Sequence, residues 1–299
     1  MDIDRLLSLM VEKSASDLFI TAGIPPSIKL HGRIVPVTTT PLSPEKARET
    51  VLSTMNDKQR NEFAEKKELN YAISVRGVGR FRASAFFQRN LAGMVLRRIE
   101  TNIPKIDDLG LPEIIKELAM VKRGLVIFVG ATGTGKSTSL AAMIGHRNRH
   151  SKGHIISIED PVEYVHPSQK SLITHREVGI DTRSWHQALR NTLRQAPDVI
   201  LIGEIRDTET MEHAITFAET GHLCMGTLHA NNANQTIDRI VNFFPEERRS
   251  QLLMDLSVNL RAIVSQRLVR TADGLGRRAA IEILINTPAI SERIFKGEF

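Results

Sequence analysis

The chain has 299 residues, 41% hydrophobic and 25% charged, with a formal net charge of +6 and one cysteine, Cys224. The length suits two domains and the composition excludes a disordered or fibrous chain. The lone thiol excludes an internal disulfide and any zinc site built from several thiolates.

The first residues, Met1-Asp2-Ile3-Asp4, are acidic, and Ile3, Leu6, Leu7, Met10 and Val11 recur at helical spacing, so an amphipathic helix is predicted and not a signal peptide. From 18 to 99 the pattern is one of short strands and tight turns. It includes a hairpin in which His31-Gly32 joins 27–30 to 33–35, and strands at 69–75 and 80–87 separated by Gly77-Val78-Gly79. Two helices interrupt it, one with Ser43 as N-cap and Pro44 at its first position, the next over 57–67. A small α+β domain over 1–99 is the expectation. The stretch 100–112 (ETNIPKIDDLGLP) has two prolines, a glycine and no periodicity, which marks a linker.

Beyond it, strand-like runs at 125–129, 155–158 and 199–202 alternate with helix-like runs, the sign of a parallel α/β domain over 113–299, with a helical region expected over 245–270. The longest apolar run, between Gly124 and Gly130, is far shorter than the roughly 20 residues of a spanning helix. A cytoplasmic location is expected. The basic residues are dispersed, as at Arg97-Arg98, Arg248-Arg249 and Arg277-Arg278, which favours a solvated surface with local anion sites over a nucleic-acid track.

The segment Gly130-Ala131-Thr132-Gly133-Thr134-Gly135-Lys136-Ser137 fits G-x-x-x-x-G-K-[ST] between an apolar strand and a helix. Its glycines let backbone N–H groups face phosphate, Lys136 neutralises β/γ oxygens, Ser137 is suited to Mg²⁺, and Thr132, Thr134 and Thr138 extend the predicted ATP contacts. The run 199–203 then ends in Glu204, a Walker B arrangement for holding Mg²⁺ and orienting water. A second acidic cluster, Glu159-Asp160-Pro161-Val162-Glu163, also follows an apolar strand. Glu163 is the candidate base for the attacking water, the alternative being a solvated acidic turn. His222 and His229 lack the partners of a zinc site, and buried, hydrogen-bonded core histidines are the other reading.

These motifs, 130–137, Ser157 to Glu163, the run from Asp198 to Asp207, and Glu219-Thr220-Gly221-His222 to Thr227-Leu228-His229, come in the order and spacing of the type II/IV secretion ATPase superfamily, which the chain resembles over essentially its whole length. Within it the chain is most similar to type IV pilus retraction ATPases of the PilT/PilU type. The resemblance implies an N-terminal PAS-like domain, a C-terminal RecA-like P-loop domain with a central, mostly parallel sheet, and a homo-hexameric ring. It implies Glu163 as general base, Glu204 supporting metal and water, His222 and His229 sensing nucleotide, and Arg82 and Arg97 contacting the γ-phosphate. One cysteine cannot supply the four-cysteine metal motif typical of pilus-extension and type II secretion ATPases, which points to the retraction branch. Gln195-Ala196, where PilT-type sequences carry an acidic pair, and Ala289-Ile290-Ser291-Glu292-Arg293-Ile294, where they read A-I-R-N-L-I, point to a PilU-like accessory. Expected partners are a PilT-like paralogue and an inner-membrane platform protein, with no nucleic acid. The sequence stops soon after the last motif, where family members usually continue, so a shortened C-terminus is expected.

Overall fold

A computed structural model describes residues 2–30, 32–100, 102–272 and 276–299. Met1, His31 of the expected hairpin turn and Thr101 of the expected linker lie outside the described residues. The chain divides into two units, Met1–Thr101 and Asn102–Phe299.

The first unit opens with α1 (Ile3–Glu12), capped by the Asp2 side chain, and buries Leu6, Leu7 and Met10 from the predicted stripe. Three strands follow, β1 (Asp17–Ile20), β2 (Ser27–Leu30) and β3 (Arg33–Pro36), the last two pairing Leu30 with Arg33 across the turn. Then come α2 (Pro44–Ser53) and α3 (Asp57–Lys66). The Ser43 side chain caps α2 by accepting from the Lys46 N–H, and Asn56 and Gln59 close a reciprocal cap on α3, satisfying N–H groups that lack intrahelical partners. Strands β4 (Glu68–Val75), β5 (Gly79–Gln88) and β6 (Leu91–Ile99) complete one antiparallel sheet of order β3-β2-β1-β6-β5-β4. Its core gathers Leu7, Met10, Leu18, Val51, Phe63, Phe81 and Leu96.

The second unit alternates strands and helices: α4 (Ile114–Met120), β7 (Gly124–Val129), α5 (Lys136–His150), β8 (Gly153–Glu159), β9 (Ser171–Glu177), α6 (Trp185–Thr192), β10 (Val199–Ile202), α7 (Thr208–Glu219) and β11 (Leu223–Leu228). It closes with α8 (Ala233–Asn242), α9 (Glu246–Asn259), β12 (Leu260–Arg270), β13 (Arg277–Ile285) and α10 (Pro288–Lys296). The sheet order is β13-β12-β7-β11-β10-β8-β9, parallel except for the β12–β13 pair. Both faces are covered, which is why the central strands read as unbroken apolar runs. Leu125, Ile127 and Val129 of β7 pack with residues of α6 to α9, whereas Val126 and Phe128 pack with residues of α4 and α5. Ile106 and Leu111 are buried in the second of these clusters, so apolar side chains of the segment 100–112 belong to this unit's core. The mixed α/β architecture with a mostly parallel P-loop sheet follows the expectation.

One element differs from the sequence reading. The helix expected over 245–270 ends at Asn259, and Leu260–Arg270 is β12, paired along Ala262-Ile263-Val264 with Val126-Ile127-Phe128 of β7 and, on its other side, with β13. The β-branched Ile263 and Val264 suit a strand, and the slot between two partners outweighs local helix propensity. Among the described residues no helix is long and apolar enough to cross a membrane.

Candidate nucleotide site

The ends of the parallel strands carry the site, as expected for an open α/β sheet whose connections leave a crevice beyond the carboxyl ends. Leaving β7, the chain makes the 130–135 loop and enters α5 at Lys136, so the helix's unpaired N–H groups open onto the loop. Gly130 has φ +148°, and a Cβ there would lie 2.4 Å from the Gln266 carbonyl oxygen, so glycine is required at the point where the loop passes β12. Lys136 donates from Nζ to the carbonyls of Gly130 (2.8 Å) and Ala131 (2.9 Å), which holds the ammonium under the loop. Burial lowers its pKa, while Glu163 and Glu204 act in the opposite sense.

A cleft of about 450 Å³ lies over this loop. Its walls include Thr132, Gly133, Gly135, Lys136, Ser137 and Thr138 from the loop and α5, Glu159 to Pro161 and Glu163 after β8, Glu204 after β10, and His229 after β11. Of the predicted phosphate-contact residues only Gly130 and Thr134 are absent from these walls. Thr134 turns inward, its hydroxyl donating to the Ala131 carbonyl at 2.9 Å. Glu204 and His229, from adjacent strands β10 and β11, meet with Oε1 and Nε2 at 3.3 Å, both side chains about two-fifths exposed at 42% and 41%. The structure thus brings together a lysine, several hydroxyls, four carboxylates and an imidazole, the chemistry of phosphoryl transfer to water.

His222 is not brought to this group. It precedes β11 at the opposite end from His229, with Nδ1 3.1 Å from the Phe217 carbonyl oxygen and 3.1 Å from the Thr220 hydroxyl, and a strand of this length spans about 20 Å. Their seven-residue spacing is a strand's length, not a shared face. Arg82 and Arg97 sit in the first unit at facing positions of β5 and β6, and Arg97 Nε donates to Asp17 Oδ1 at 2.9 Å from a carboxylate that is itself buried. Gln195-Ala196 lies before β10, away from Glu204.

Several residues that shape the site carry no motif. Gln266, buried on β12, accepts from the Ser139 hydroxyl at 2.8 Å and donates to the Thr134 carbonyl at 2.8 Å, pinning the phosphate loop to the sheet from more than 120 residues away. The Thr227 hydroxyl donates to the Gly203 carbonyl beside Glu204, and Tyr164 shares a 2.8 Å hydrogen bond with Thr138. Beneath the acidic loop the Val162 N–H donates to buried Glu177, and the Glu163 N–H to Glu159. His175 Nε2 accepts from the His166 N–H at 3.0 Å, which leaves its Nδ1–H to donate to the Ser157 hydroxyl at 2.7 Å. Arg277 of β13 also borders the cleft. A buried glutamine or threonine near the P-loop in space has no fixed sequence offset, so only the sheet order exposes these partners.

A family model described as type II/IV secretion system protein matches residues 1–293. The type IV pilus ATPase PilU of Pseudomonas aeruginosa is 68% identical over all of this chain and 78% of its own length. The type IV pilus retraction ATPase PilT of the same organism is 45% identical over 98% of this chain and 85% of its own. Among solved structures, the pilus retraction motor PilT with bound ADP superposes with a TM-score of 0.94 at 44% identity, covering 100% of this chain and 87% of that one.

Proposed function

The chain belongs to the type II/IV secretion system protein family, among the type IV pilus ATPases of the PilT/PilU type, and from that membership we propose that it is an ATP-hydrolysing motor of pilus retraction in twitching motility, acting as a PilU-like accessory to a PilT-like paralogue. The observation that carries the reading is the cleft in which Lys136, Ser137, Glu163, Glu204 and His229 converge on a glycine-rich loop at a helix N-terminus.

ATP fits this cleft with its phosphates along 130–138. The Ser137 hydroxyl and the Glu204 carboxylate are hard oxygen donors of the kind Mg²⁺ takes, and that ion, when bound, neutralises charge on the phosphate oxygens. Lys136 binds the β/γ oxygens. Glu163 accepts the proton of the attacking water, and His229, 3.3 Å from Glu204, sets an imidazole beside that carboxylate at the end of β11. Arg82 and Arg97, carried by the PAS-like domain over 1–99, are the cations proposed for the γ-phosphate, the rest of the site being carried by the RecA-like domain. Arginine suits that task because its planar fork meets phosphate bidentately. The working form is a homo-hexameric ring on the cytoplasmic side of the inner membrane, against the pilus platform protein.

The test is twitching in a cell that lacks its own PilU-like protein but keeps its PilT-like paralogue. The wild-type chain restores surface spreading and Lys136→Ala does not. Equal rescue by Lys136→Ala would remove nucleotide turnover from the account.

A further inference from the structure

Outside the nucleotide cleft, the N-terminal halves of α6 and α7 bring together His186, Glu209 and His213, whose nearest ligand atoms all lie within 4.8 Å of one another. Glu209 and His213 are four residues apart on one face of α7, and His186 is the second residue of α6. His186 Nδ1 and Glu209 Oε1 are already in direct contact, with side chains 60% and 46% exposed, so the cluster opens to solvent. Two imidazoles and one carboxylate form the three-ligand set that zinc takes in open, water-completed sites. A tetrahedral ion with bonds near 2.0–2.1 Å needs ligand atoms about 3.4 Å apart. A modest rotation of the side chains sets that spacing, with His186 and Glu209 moving apart to admit the ion and His213 drawing in.

We propose that His186, Glu209 and His213 form a binding site for a divalent transition metal of the zinc and nickel class, which clamps the N-terminal half of α6 to that of α7. Imidazole donors exclude Mg²⁺ and Ca²⁺ as the intended ion, so the site is chemically distinct from any Mg²⁺ position at Ser137 and Glu204. The place matters: Trp185, the residue before His186, borders the nucleotide cleft and lies under the Arg206 guanidinium, 5.5 Å from its ring centroid. Asp207, three residues after Glu204, caps α7. A metal here fixes the loop that follows the Walker B strand.

Trp185 is the chain's single tryptophan, so its fluorescence reports on the neighbouring site without interference. The full chain, stripped with EDTA and free of nucleotide and Mg²⁺, is titrated with Ni²⁺, a quencher. The expected result is saturable quenching at one equivalent per chain, reversed by EDTA and competed by Zn²⁺. His213→Ala and Glu209→Gln should each weaken it by more than about 100-fold, beyond the roughly 10–100-fold cost of losing an outer-shell partner, while Glu163→Gln leaves it unchanged. Far-UV circular dichroism checks that both variants stay folded, and Glu209→Gln keeps the helix-forming length of the side chain. Absence of saturable quenching, equal quenching in His213→Ala and Glu209→Gln, or loss of quenching in Glu163→Gln, which places the ion in the nucleotide cleft, would each overturn the proposal.

Discussion

At Lys136 burial and charge pull in opposite directions. Desolvation disfavours the ammonium, whereas Glu163, Glu204 and two loop carbonyls favour it, and phosphate adds to the second side. The motif made this lysine legible because a phosphate loop needs its residues at fixed offsets along the chain. Gln266, which holds the same loop, was not legible, since its two hydrogen bonds exist only once β12 lies beside β7. A second buried group gives a pH-dependent signature. Burial, with His175 and Arg149 nearby, pushes His166 down to about 3 from an ordinary value of 6.5. Between those values the unfolded chain takes up a proton that the folded chain refuses, so this contribution is complete above pH 6.5 and is lost as pH falls toward 3. Unfolding free energy should therefore drop by roughly 2 kcal/mol between pH 6.5 and 5 through this residue. Urea titrations of wild type and His166→Gln at both pH values check it, and an equal drop in both proteins would contradict the assignment.

Among elements, β12 is where sequence and structure part. Glu246–Asn259 does form a helix, and no proline or glycine separates it from 260–270. What ends the helix is not local: Ile263 and Val264 are fully buried on opposite faces of the sheet, between β7 and β13. By contrast β7, β8 and β10 were readable because strands covered on both faces must be apolar throughout. The capped helix α2 was readable because Ser43-Pro44 act within one turn. If β12 is a core strand, Ile263→Ala should cost about 2–5 kcal/mol. Val269→Ala, near its 51%-exposed end, should cost less than about 0.5 kcal/mol. Urea midpoints at constant m-value measure both, and similar losses at the two positions would argue against the strand.

Across the whole molecule, each unit has its own hydrophobic core, and the residues assigned to ATP turnover are divided between them. The phosphate loop, Glu163, Glu204 and His229 lie in the second unit, Arg82 and Arg97 in the first. The motifs point to the first set and the family resemblance to the arginines, while spacing alone does not place His222, which the strand carries away from the cleft. The proposed ring makes turnover depend on assembly. The most direct measurement is therefore Mg²⁺-dependent phosphate release over a protein-concentration series, for wild type and Glu163→Gln in parallel. The account predicts that wild-type specific activity rises as the chains assemble and that Glu163→Gln stays flat near background. No release from the wild type at any concentration, or equal release from both proteins, would contradict it.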